Sequence, residues 1–167
     1  MRHGNSLLSA APEELSHRPG VTEEEKRQVT AFDIGNRLPE ALRAVIAENV
    51  NIEQTASTEM ELVKQKERRW KEVRAKLDPF LHCANVWLAA LDGLPINEHD
   101  YRLLMLAEAA PKELDNVEKA RAKKLRESLA DELRAKQAVL TPFHWRLEFP
   151  DVFYEADGQP RDRKSVV

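Results

Sequence analysis

One cysteine, five glycines and 6% aromatic residues in a chain of 167 leave several kinds of protein out. A lone Cys83 cannot form an internal disulfide and suits a reducing compartment, so the expected location is the cytoplasm. Gly4, Gly20, Gly35, Gly93 and Gly158 stand at least 15 residues apart. Neither a dinucleotide fingerprint nor a Walker loop can be built at that spacing. No apolar run approaches the roughly 18 residues of a membrane span, and the start of the chain reads as neither targeting segment nor leader. An excess of one charge is also lacking. Twenty-six Lys and Arg against 29 Asp and Glu give a net charge of −3, so any nucleic-acid contact must come from a local patch.

What the chain does have is helical rhythm. Leu38, Leu42, Val45 and Ile46 recur at helical spacing after the interruption at Gly35 and Asn36. Thr22 with Glu23 to Glu25 reads as a helix start, its acids at the positive end of the dipole. Thr58 and Glu61 form a capping box, and Val63, Trp70 and Leu77 then recur every seven residues, as in a coiled-coil seam. Asp78 and Pro79 open "FLHCANVWLAAL", apolar nearly all round and the expected core helix. Asn97 caps "EHDYRLLMLAEAA", and Pro111 opens a last long helix carrying Leu125, Leu129 and Leu133. The fold expected is mainly α: four to six helices, with residues 58–77 and 112–138 as a long antiparallel pair. Trp70 would then be buried between them, and its loss to alanine would cost about 3–5 kcal/mol.

Candidate chemistry is sparse. His82 and Cys83 are adjacent on a helix and point about 100° apart, which does not make a metal pair. Cys83 reads as a buried thiol, and the acidic pairs read as solvated faces. The cluster Lys119, Arg121, Lys123, Lys124 and Arg126 allows two readings. It is either a surface helix paired with its own Glu118, Glu127, Asp131 and Glu132, or a contact to DNA phosphates. Only "TPFHWRLEFPDVF" (Thr141 to Phe153) alternates like a strand, with Phe143, Trp145, Phe149 and Phe153 on one side.

Two stretches carry a family resemblance. "RHGNSLLSA" (Arg2 to Ala10) resembles the L-R-x-G-N/D-S-L-x-G segment of large bacterial adenine-specific DNA methyltransferases, the single-chain restriction–modification and phage-defence (BREX-type) enzymes. "FHWRLEFPDVF" (Phe143 to Phe153) resembles their F-H-W-x-L-E-F-P-E-V-F signature, the more specific of the two. Between them, "TEMELVKQKERRWKEVRAKLD" and "ANVWLAALDGLPINEHDYRLLM" are similar to the helices of an insertion that family members carry.

The resemblance implies a division of the chain. Residues 1–10 would be a strand-like remnant of a Rossmann-like methyltransferase core, 11–140 a helical insertion, 141–154 the signature strand and 155–167 a flexible tail. It implies methyl transfer from S-adenosylmethionine to the amino group of a flipped-out adenine in DNA. It also implies that Asn5 matches the residue touching the donor's adenine ring, although Ser9 stands where the family has glycine. The family's D-P-A-C-G-S-G donor loop and N-P-P-Y motif are both absent from this sequence. The chain would therefore be a methyltransferase segment that neither binds S-adenosylmethionine nor catalyses alone, its partners being DNA and the remaining methyltransferase segments. Two rival expectations remain: a free-standing helical interaction module using the Val63–Trp70–Leu77 stripe, and a small helical DNA-binding module using Lys119 to Arg126.

Overall fold

The computed structural model describes residues 8–24, 34–54 and 60–161. The chain is mainly helical. Its helices are α1 (Ile34–Gln54), α2 (Met60–Arg74), α3 (Asp78–Leu91), α4 (Glu98–Ala109), α5 (Asn116–Leu140) and the single turns α6 (Trp145–Glu148) and α7 (Pro150–Phe153). Short 3-10 turns occupy Pro12–Ser16 and Ala75–Leu77. Among the described residues no helix is long and apolar enough to cross a membrane. The capping box at Thr58 and most of the helix expected after Thr22 lie outside the described residues.

The core forms where the apolar spacing places it. Leu38, Leu42, Val45 and Ile46 of α1 are all buried. So are Phe80, Cys83, Ala84, Leu88 and Ala89 of α3, which packs on α4 and α5 as the central helix. Asn97 caps α4 as its sequence predicts, its side chain accepting the Asp100 N–H at 2.8 Å. Polar anchors hold the first turn to this core. The Tyr101 hydroxyl donates to the Leu15 carbonyl at 2.9 Å. The Trp87 indole donates to the His17 carbonyl at 3.2 Å, and the carboxylate of buried Glu98 accepts the Arg18 N–H at 3.0 Å. Each anchor removes a buried polar group from an otherwise apolar contact, where leaving it unpaired would cost about 1–3 kcal/mol.

Five expectations are corrected. First, α1 runs through Gly35 and Asn36, where the sequence places a break, and holds Pro39 inside it. Second, α5 begins at Asn116, not at Pro111. Asp115 and Glu118 form its capping box, and residues 111–114 make the turn before it. Third, α2 packs on α1 while α5 packs on α4 and α3, so 58–77 and 112–138 are not built as a pair. Of the heptad stripe only Leu77 is buried. Val63 is 47% and Trp70 41% exposed. The Trp70 ring lies under the Arg74 guanidinium at 5.2 Å, a contact that needs no partner helix. Trp70→Ala should therefore cost about 1 kcal/mol or less, measured by urea unfolding.

The fourth correction concerns residues 141–154, expected to be a strand. Residues 145–148 and 150–153 of the stretch form α6 and α7 instead. Pro150 explains much of this: it has no N–H for a ladder, and its fixed φ suits the first position of a helical turn. The chain beyond, expected as a flexible tail, is folded as far as Arg161. Tyr154 pairs with Pro160 in an isolated bridge, and the Arg161 N–H donates to the Phe153 carbonyl at 2.9 Å.

Candidate functional site

The region that brings the sequence's distinctive residues together is the junction of the FHW stretch with the first described residues. The Phe143 N–H donates to the Leu8 carbonyl at 3.1 Å. The Ala10 N–H donates to His144 Nδ1 at 3.4 Å, and His144 Nε2 lies 3.0 Å from Asn85 Oδ1 on α3. Because Nδ1 accepts, Nε2 must carry the proton and donate to Asn85. The neutral ring is thus fixed in one tautomer.

His144 is 3% exposed, and burial holds its pKa down at about 4. The unfolded ring titrates near 6.5, so between that value and about 4 the unfolded chain binds the proton and the native chain does not. Stability is fully present above pH 6.5 and falls as pH drops through this window, by about 2 kcal/mol at pH 5. Urea unfolding at pH 7 and pH 5 should show this loss, and His144→Gln should remove the part of the slope that the imidazole supplies.

The rest of the signature divides by burial. Leu147 is fully buried, with Pro150 and Tyr154 close to it in burial. Glu148 is fixed by Arg74, whose guanidinium pairs with its carboxylate and donates to its carbonyl at 2.8 Å. On the outside, the Phe143 and Trp145 rings meet edge-on at 4.7 Å, and Phe149 lies 5.8 Å from Trp145. Trp145 and Phe149 are 39% and 43% exposed. Three of the four rings expected on one side of a strand still gather, because residues 145 and 149 are one helical turn apart, while Phe153 packs against the core instead.

The other predicted site residues are distributed differently. Asn5 lies outside the described residues. The five cations are all on α5, but they do not form one free patch. Arg121 Nη2 is 2.8 Å from Asp100 and Arg126 Nη2 2.5 Å from Glu108, both carboxylates on α4. Lys123 lies 4.0 Å from Glu127 within its own helix. Pairing therefore runs mainly between helices, across the edges of the α5 core face. Lys119, Lys123 and Lys124 are exposed. Cys83 is fully buried, and desolvation pushes its thiol far above the ordinary range, which leaves no thiolate to act as nucleophile or ligand.

Glu108 is a further site residue that the sequence does not single out. It accepts from both His82 and Arg126, which lowers its pKa, the His82 contact contributing most. Its signal was a lone acid, Glu108, in the otherwise apolar and small "LMLAEAA" run. Compared with known proteins, the chain matches no family model, no curated protein and no solved structure.

Proposed function

We propose that this chain is the helical segment of an adenine-specific DNA methyltransferase of a restriction–modification or phage-defence system. In this reading it serves as a scaffold for chemistry whose donor loop and N-P-P-Y motif its sequence does not contain. The observation that carries the reading is the meeting of its two resembling stretches. Leu8 and Ala10 belong to the first, Phe143 and His144 to the second, and they bond at 3.1 and 3.4 Å across some 130 residues of sequence. A helical insertion needs this geometry, since its two ends must return to adjacent places in the Rossmann-like domain that carries it. The exposed Trp145 and Phe149 rings would face that domain, and exposed Lys119, Lys123 and Lys124 would contribute DNA-phosphate contacts.

The test is to sequence the transcript across both sides of this coding region. An in-frame donor loop upstream and N-P-P-Y downstream are the expected result. In-frame stop codons on both sides with neither motif would refute the reading. One observation favours the rival, a free-standing helical interaction module: the burial of Leu147 and Tyr154 makes the signature part of this domain's own core.

A further inference from the structure

Between α3, α4 and α5 lies a half-open cleft of about 260 Å³. Its apolar wall is Val86, Leu104 and Leu133, and its polar groups are His82, Asn85, Glu108, Arg126 and Gln137. The polar groups are not equivalent. Both Glu108 oxygens are occupied, Oε1 by Arg126 at 2.5 Å and Oε2 by His82 Nδ1 at 3.5 Å. Asn85 Oδ1 is occupied as well, because the His144 tautomer makes it accept at 3.0 Å. The donors that remain available are the Nε and Nη1 hydrogens of Arg126, the amide hydrogens of Asn85 and, once His82 is protonated, its far Nε2–H, while the Gln137 amide offers both a donor and an acceptor.

His82 and Asn85 are three residues apart and share one face of α3, with Arg126 opposite on α5. The charged groups facing His82 are Glu108, Asp78 and Arg126. Glu108 holds the imidazole toward its protonated form, since their hydrogen bond raises the His82 pKa.

We propose that this cleft is an oxyanion site that takes a phosphate group. Donors come from α3 on one side of the cleft and from α5 on the other, so several oxygens of one oxyanion can be bonded together. Arg126 presents a fixed fork, Asn85 an amide and His82 a single N–H. Glu108 acts as the orienting carboxylate, and the apolar wall leaves room for a small organic body beside the phosphate. The site is independent of the methyltransferase reading, because it uses only contacts within the helical domain.

Two sources share this chemistry, a free phosphate monoester and the DNA backbone, and one titration separates them. The full chain is titrated at pH 7 with inorganic phosphate, at ionic strength matched with sodium chloride, and followed by NMR. Saturable shifts at His82, Asn85 and Arg126 are expected, with half-saturation in the millimolar range. Arg126→Gln should raise the half-saturation concentration about tenfold. His82→Gln should raise it less, and Lys64→Gln, exposed on α2 away from the cleft, should leave it unchanged. A short DNA duplex that moves the same resonances and is displaced by phosphate assigns the source to DNA. A duplex that leaves them unmoved assigns it to a free phosphate compound. Shifts that never saturate, or an Arg126→Gln protein of unchanged helical circular dichroism that binds phosphate as well as the parent, overturn the proposal.

Discussion

Ending the chain at Leu140 should unfold it or leave a loose helical ensemble. Residues 141–161 place Leu147 and Tyr154 in the core at 0% and 2% exposure, and add buried His144 and Pro150. α7 packs on α1, so the segment covers a helix from the other end of the domain. Burial of a large apolar side chain contributes about 1.5–3 kcal/mol, and several are lost together. The total reaches about 5 kcal/mol or more, against a typical domain stability of about 5–15 kcal/mol. The Arg74 guanidinium would also lose both of its Glu148 contacts while remaining near the core. Truncated protein should therefore lose its near-ultraviolet circular dichroism and its cooperative melt. The alternating aromatics alone leave two outcomes, a strand docked on the Trp87 helix or a loose strand whose deletion raises solubility with the helices intact. A truncated chain that melts like the parent would show that the segment is not integral.

Gly158→Ala should cost about 3 kcal/mol, although the residue lies in an irregular turn near the end of the described chain. Its φ is 79°, and a Cβ there would lie 2.4 Å from the Pro39 carbonyl oxygen and 2.9 Å from the Pro39 Cα. Both neighbours are backbone of α1, so neither can swing away. The left-handed conformation contributes about 1–2 kcal/mol, and the forced separation of turn from helix contributes about as much again. Gly93 supplies the control. Its φ is 86°, and a Cβ there would meet nothing within 4 Å, so Gly93→Ala should cost only the conformational part. A difference between the two substitutions in urea unfolding isolates the docking of the 155–161 turn on α1. Equal costs would mean that the turn is not seated there.

The parts of this fold legible in sequence are those set by neighbours a few residues away. Asn97 announces the start of α4 because the capping bond is to Asp100, three residues on. Asp115 and Glu118 make an equally local signal for α5, but Pro111, four residues earlier, competes with it as a helix opener. The Val63–Trp70–Leu77 repeat misleads because a period of seven says which side chains share a face and not whether anything covers that face. In α2 the charged "KQKERR" run and the Arg74–Trp70 contact leave most of the stripe in water. Phe143 to Phe153 is too short for its period to be decisive, since rings at 145 and 149 fit both strand alternation and a helical turn.

The candidate site was legible as a motif and illegible as a geometry. His144 stands in a distinctive string, yet its partners Ala10 and Asn85 are 134 and 59 residues away. Nothing local points to either. Arg121 and Arg126 likewise look like part of a free basic cluster until α4 brings Asp100 and Glu108 against them. The docked turn at Gly158 follows the same rule. Asp157 and Gly158 announce a turn, but only the tertiary structure shows that it rests on Pro39.

The folding of the FHW stretch onto residues 8–10 through His144 can be followed at the His144 imidazole nitrogens by NMR as pH is lowered from 8 to 4. The expected result is a single neutral form with the proton on Nε2 and Nδ1 as acceptor, unchanged through pH 6.5 and titrating only near the depressed value of about 4. A ring that exchanges between tautomers and titrates at its ordinary value near 6.5 would contradict it.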